Sequence, residues 1–271
     1  MAKNLHTLPL IQDCISYLYI EYAKIEVKNY SLVVLRKDEE TVLPICKILC
    51  ILLGPGTSIT HDAIKVIGDS GCMIVWCGDE LNYFYSYGSG RSHNVENLYR
   101  QIHLFHNNKL QVAEKMFRLR FPSLNKEIIS IEQLMGIEGT YMKSFYNECA
   151  KKYNVEWDGR EFVYKNPKTN IINKAISIAN SLLYNICQAG ILSLGYSADI
   201  GFAHAGNLRS FVYDIADLYK IETSIPSAFE TISEDVDEET LPERVRKNCR
   251  DLIYSTQVLK RIPQDIKTCL E

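Results

Sequence analysis

Apolar residues follow two rhythms along the chain, and the change falls near residue 88. Before that point, short β-rich runs dominate. Ile25-Glu26-Val27 and Ser31-Leu32-Val33-Val34-Leu35 flank Lys28-Asn29-Tyr30, the pattern of a hairpin. Thr41-Val42-Leu43, Cys50-Ile51-Leu52-Leu53, Cys72-Met73-Ile74-Val75-Trp76 and Asn82-Tyr83-Phe84-Tyr85 predict further strands. Among them, Thr60 can cap a helix that runs to Ile67 and is ended by Gly68 and Gly71. Gly88-Ser89-Gly90 interrupts the pattern and reads as a linker. Helical periodicity then takes over. Leu98, Ile102, Phe105 and Leu110 open a long amphipathic stretch, and Ile131–Cys149, Ile171–Leu194, Asn207–Lys220 and about Pro242–Leu259 predict further helices. The expected architecture is α+β with two units. Residues 1–88 form a small N-terminal β-sheet domain, 89–93 a linker, and 94–271 a larger all-α domain.

Composition changes this picture little. A chain of 271 residues with 46% apolar and 23% charged residues can bury a sizeable core. No run approaches the ~20 apolar residues of a membrane span, and Met1–His6 carries no apolar signal core. Nine cysteines, an odd number without zinc-type spacing, predict reduced, mostly buried thiols, and with them a cytoplasmic location.

Charge distribution says more than its sum. The net charge is −3, which argues weakly against a nucleic-acid partner. Yet Arg91, Arg100, Lys109, Lys115, Arg118, Arg120 and Lys126 face only Glu96 and Glu114 in one segment, a local net of +5. Glu234-Asp235-Val236-Asp237-Glu238-Glu239 is the acidic counterpart.

The candidate chemistry lies in Gly201-Phe202-Ala203-His204-Ala205-Gly206 and the helix after it. A histidine between glycines, just ahead of a helix, is well placed to be positioned and exposed. Asp214 and Asp217 are three apart and so neighbour each other on the helix surface. Two adjacent carboxylates repel unless a cation lies near, and a histidine with carboxylates suits Mn2+ or Mg2+. The same pattern also describes a solvated helix face with a structural histidine. Glu138, in Gly136-Ile137-Glu138-Gly139, reads alone as a surface residue, although its glycines suggest a close approach to the backbone.

Taken in order, several motifs make the chain resemble the CRISPR-associated adaptation integrase in its type I-E form. They are Ile20-Glu21-Tyr22-Ala23-Lys24-Ile25-Glu26-Val27, Gly54-Pro55-Gly56-Thr57, Lys115-Met116-Phe117-Arg118-Leu119-Arg120-Phe121 and Glu132-Gln133-Leu134-Met135-Gly136-Ile137-Glu138-Gly139, then the His204 loop and Ser210-Phe211-Val212-Tyr213-Asp214-Ile215-Ala216-Asp217. The resemblance implies that Glu138, His204 and Asp217 bind a divalent metal, Mg2+ or Mn2+, with Asp214 supporting the site. It implies a homodimer paired through the β domain. Two such dimers would flank one dimer of a small second adaptation subunit in a heterohexamer.

The implied reaction is transesterification, in which a 3′-hydroxyl of captured DNA attacks a phosphodiester at the CRISPR repeat. Endonuclease activity follows at the same site when water replaces the hydroxyl. Capture of arbitrary sequences calls for phosphate contacts, for which Arg91, Lys115, Arg118, Arg120, Arg209, Arg246 and Arg250 are candidates; Arg246 and Arg250 lie four apart on one helix. By the resemblance, Tyr22 stacks on the end of the duplex and Tyr184 lies near a single-stranded overhang. Read from the residues alone, the arginines are solvated charge, Tyr22 a strand aromatic and Tyr184 a core residue. Two other functions use the same residues: a stand-alone metal-dependent nuclease for branched DNA, and a non-catalytic DNA-binding scaffold.

Overall fold

A computed structural model describes residues 18–37, 39–48, 50–78, 84–88, 95–122, 127–160, 171–234 and 236–271. Within them a β-sheet unit precedes a helical one, as the two rhythms predict. The expected linker 89–93, with Arg91, lies outside the described residues, as do Asn82, Tyr83 and Lys126.

Among the described residues, eight strands make two four-stranded sheets: β1 (Leu18–Ile20), β2 (Lys24–Lys28), β3 (Ser31–Arg36), β4 (Glu39–Val42), β5 (Cys50–Leu53), β6 (Ser58–Ile59), β7 (Met73–Cys77) and β8 (Phe84–Gly88). One sheet has the order β4-β3-β2-β6 and the other β1-β5-β7-β8. The hairpin between β2 and β3 turns on Asn29 and Tyr30, both at positive φ (49° and 61°), which matches the twist of a two-residue connection. β1, β5 and β7 run parallel, and β8 closes that sheet antiparallel.

Strand alternation gives this sheet two buried faces. Ile20, Ile51, Leu53 and Ile74 pack against Ile25, Leu32 and Val34 of the other sheet. Cys50, Leu52, Met73, Val75 and Cys77 face the helices and join their core. This is why Cys50–Leu53 reads as an unbroken apolar run. Helix α1 (His61–Asp69) starts where expected, with the Thr60 hydroxyl accepting from the Ala63 N–H.

The helical unit holds α2 (Val95–Asn107), α3 (Lys109–Arg120), α4 (Ile131–Tyr153), α5 (Ile171–Ser193), α6 (Ser210–Asp217), α7 (Ser224–Ser233), α8 (Leu241–Ser255) and α9 (Val258–Leu270). Three expectations change here. The first long stretch is two helices, broken at Asn108. The helix expected over Asn207–Lys220 is shorter, and the turn after it leads into α7. The last helix ends at Ser255, and Gln257, in the left-handed region at φ 56°, redirects the chain into α9. α9 contains Pro263, which the helix tolerates at the loss of one backbone bond.

α5 is the central rod. It is long and apolar enough to cross a membrane by length and composition, but its window is 78% buried inside the protein. α6, α7, α8 and α9 all pack on it. Among the described cysteines, only Cys46 is exposed, and none is bonded to another.

Candidate active site

Three segments far apart in sequence meet at the site. The first is α4, which carries Glu138. Ser130 caps this helix by accepting from the Gln133 N–H, while the Gln133 side chain accepts from Ile129 N–H at 2.9 Å. Its far end closes on Asn154 in the left-handed conformation. Among the described residues, no atom lies where a Cβ of the neighbouring Gly136 or Gly139 would stand. Gly139 instead fronts the cavity described below.

The second segment is the His204 loop. Gly201 admits no side chain, because a Cβ there would come within 2.6 Å of the His204 carbonyl and the Ser210 backbone. The loop is organised by Asp214, whose side chain is fully buried. Its carboxylate accepts from the backbone N–H groups of Phe202, Ala203 (3.3 Å) and His204 (2.9 Å), and lies 2.8 Å from His204 Nδ1. That partner assigns the proton to Nδ1 and leaves the Nε2 lone pair free, the arrangement of a metal-binding imidazole. Burial raises the Asp214 carboxyl above its ordinary range, against the hydrogen bonds from His204 and the loop. For His204, burial acts downward, but the Asp214 hydrogen bond and the Asp217 and Asp214 charges outweigh it and raise the imidazole above its ordinary 6.5.

The third segment is the end of α6. Asp214 and Asp217 share the helix but not the site: Asp214 turns into the loop, whereas Asp217 opens toward the cavity, 3.8 Å from His204 Nε2. A carboxylate at a helix C-terminus faces the negative end of the dipole. Two cations offset this, Lys220 at 2.6 Å and Arg120 at 3.9 Å. Burial acts to raise Asp217, and the charges of Lys220, Arg120 and His204 override it and hold the carboxyl below its ordinary value.

Glu138, His204 and Asp217 thus line one open cavity of about 720 Å³. Its further walls are aromatic (Tyr146, Trp157, Tyr184, Tyr213) and cationic (Lys143, Arg160, Lys220). Two carboxylates and an imidazole form a donor set that fits Mg2+ or Mn2+. Among the described residues, however, no three His, Cys, Asp or Glu side chains are drawn tightly enough to clasp an ion as they stand. Arg120 lies between, paired with Glu138 and facing Asp217.

The candidate DNA contacts separate. Arg120 is not on an outer basic surface: its side chain is 3% exposed and belongs to the site. Lys115, Arg118 and Arg250 are exposed, Arg118 being paired with Glu114 one turn back. Arg209 is half-buried, donates to Asn185 Oδ1 at 3.2 Å, and is lowered by burial. Arg246 and Arg250 share a helix but not an environment, since Arg246 turns inward over the Tyr19 ring at 5.9 Å.

Tyr22 is no strand residue. It lies between β1 and β2 at φ 47° and is 71% exposed. Tyr184 is partly buried against the core, and it also lines the cavity, where its ring meets Tyr213 edge-on at 4.9 Å with Lys220 Nζ over its face. Sequence reasoning missed Lys220, legible only as a lysine one turn after Asp217, and Arg160, which donates to Asn173 and Ser177. No sequence pattern marks Arg160.

A sheet unit followed by a helical unit, with two carboxylates and an imidazole beside cationic and aromatic walls, defines a class of protein suited to an anionic, base-bearing ligand. Comparison with known proteins gives the family. The chain matches the family described as CRISPR associated protein Cas1 over residues 17–126 and 120–239. It is 35% identical over 268 residues to "CRISPR-associated endonuclease Cas1 2" of Thermus thermophilus, covering 98% of this chain and 82% of that protein. It is 37% identical over 263 residues to "CRISPR-associated endonuclease Cas1" of Escherichia coli K12, covering 95% and 85%. The crystal structure of a TtCas1–DNA complex superimposes with a TM-score of 0.83 at 34% identity, over 94% of this chain and 91% of that one. The chain belongs to the Cas1 family.

Proposed function

We propose that the chain is a metal-dependent CRISPR adaptation integrase of the type I-E form, which joins 3′-hydroxyl ends of captured DNA into the repeat of a CRISPR array. The observation that carries this reading is the convergence of Glu138, His204 and Asp217 on one open cavity. The endonuclease names of its relatives and the DNA complex of TtCas1 support it.

Joining exchanges one phosphodiester for another. The 3′-oxygen forms a bond to phosphorus, the target strand's P–O bond breaks, and the proton of the attacking hydroxyl passes to the leaving oxygen. No energy-supplying cofactor is needed. When bound, Mg2+ or Mn2+ supplies charge neutralisation at phosphorus and makes the attacking oxygen more acidic. Glu138, His204 Nε2 and Asp217 would hold it, with Asp214 fixing the imidazole. Lys143, Arg160 and Lys220 give the cavity a positive wall for phosphates, and Tyr184 and Tyr213 offer faces for bases. Water in place of the hydroxyl gives endonuclease activity at the same site. Exposed Lys115, Arg118 and Arg250 suit sequence-independent contact with a duplex, and exposed Tyr22 suits stacking on its end. The assembly is a homodimer, two copies of which flank a dimer of the small second adaptation subunit.

The test is strand joining, with and without that subunit, using a 3′-hydroxyl duplex, a plasmid bearing leader and repeat, and Mg2+ or Mn2+. Product that requires the 3′-hydroxyl and vanishes in Asp217→Ala is expected. Cleavage without joining, with the small subunit present, would instead identify a stand-alone nuclease. Binding without either reaction would identify a scaffold.

A further inference from the structure

Arg120 closes α3 with its side chain almost wholly out of water. Its guanidinium pairs with Glu138 Oε1, and Nη1 lies 3.9 Å from Asp217 Oδ2. These are two of the three side chains assigned above to the metal. Its other contacts are fewer: Nη2 meets the Met142 sulfur at 3.0 Å, the guanidinium lies over the Phe121 ring at 4.9 Å, and among the described residues the buried Nε has no hydrogen-bond partner. An arginine held on a carboxylate while another donor is unsatisfied is anchored by charge more than by geometry.

Its position answers an electrostatic need. Glu138 and Asp217 approach one another in a largely desolvated place, where like charges repel strongly. A cation standing near both offsets that repulsion. Lys220 serves Asp217 from one side, and Arg120 serves Glu138 while facing Asp217 from the other. One oxygen of each carboxylate, Glu138 Oε1 and Asp217 Oδ2, faces the guanidinium, which stands where an ion shared by the two would bind. A divalent ion would add two positive charges beside one already there. The metal and Arg120 in its present pose therefore exclude each other, and the adjoining cavity gives the guanidinium room to leave.

We propose that Arg120 is a resident counter-ion that the metal displaces: it holds Glu138 and Asp217 together without metal, and leaves Glu138 for the cavity when the ion binds. This rests on the reading of Glu138, His204 and Asp217 as metal ligands. Arg120 is a positioning residue, and its presence weakens metal binding while preserving the arrangement of the ligands.

The experiment titrates Mn2+ into full-length protein by calorimetry for wild type, Arg120→Gln and Arg120→Lys. Arg120→Gln, which removes the competing charge, is expected to bind Mn2+ roughly tenfold or more tightly, with Arg120→Lys close to wild type. Equal or weaker binding by a folded Arg120→Gln overturns the proposal. The wild type supplies a second measurement, independent of whether that variant folds. The Arg120 Nε–H, identified by its absence in Arg120→Lys, should exchange slowly with water in 15N spectra of metal-free protein. On saturation with Mg2+ it should shift and exchange quickly. An unmoved signal at saturating Mg2+ also overturns the proposal. If the wild type binds metal while either of these tests fails, the Arg120 role alone is lost. If no form binds metal, the ligand assignment fails, and the proposal with it.

Discussion

At the scale of single residues, the site depends most on a side chain that faces away from the cavity. Asp214 gathers three backbone N–H groups and the His204 ring on one buried carboxylate. Asp214→Ala strands all of them and should destabilise the fold by on the order of 3 kcal/mol, measured by urea unfolding; a loss within error would mean that the loop is held by other contacts. His204 adds a pH dependence. Its folded value lies above the unfolded one, so the His204–Asp214 pair contributes stability in full below the ordinary imidazole range. That contribution is lost as pH rises through the raised value. On the ligand set proposed above, metal binding would run in the opposite direction, since an ion needs Nε2 without its proton. Mn2+ affinity should therefore climb across the raised His204 value and then level off. A flat profile would remove His204 from the ligand set. Spacing alone displayed these residues without distinguishing them; the family resemblance is what set Asp217 apart as a ligand and Asp214 as its support. Spacing by three made Asp214 and Asp217 equivalent helix neighbours, and only the fold of the Gly201–Gly206 loop gives one to the backbone and the other to the cavity.

Among elements, what was legible followed from local chemistry. The hairpin, the Thr60 cap and the amphipathic or uniformly apolar helices all announce themselves by period or by capping residues. α7 and α9 do not. α7 is buried almost throughout, so polar residues such as Ser224, Ser227 and Thr231 sit inside and blur its period. Their hydroxyls are satisfied by backbone carbonyls one turn back or by Asn180, a tertiary solution that no window of sequence displays. Glu138 was equally illegible from the spacing in its own segment, because its partner Arg120 comes from α3. The element-scale prediction concerns the loop before α6. Gly201→Ala introduces a methyl where the Ser210 backbone already stands, and should cost about 1–3 kcal/mol while abolishing Mn2+ binding, although Gly201 ligates nothing. Normal metal affinity in calorimetry would show that the loop can yield without moving His204.

For the whole molecule, the shared core matters most. The inner sheet gives one face to its partner sheet and the other to the helices, so its residues Cys50, Leu52, Met73, Val75 and Cys77 cannot lose helical cover without exposing apolar surface. The two units should then unfold together. The two tryptophans report on them separately, Trp76 from β7 and Trp157 from the wall of the cavity. In Trp76→Phe and Trp157→Phe proteins, the remaining fluorophore should give the same denaturant midpoint, once each variant's own stability is matched by circular dichroism. Separate midpoints within one variant would mean that the sheet unit melts alone.

On the ligand set proposed above, Arg120 and Lys220 also bear on how such a protein would be supplied with an ion in a cell. Because the acidic side chains already have partners from within the chain, maturation does not wait for a metal, as it does in domains that are unfolded until an ion arrives. Scarcity of the ion would leave the amount of protein untouched and silence only its chemistry, giving a standing reserve that awakens on replenishment without new synthesis.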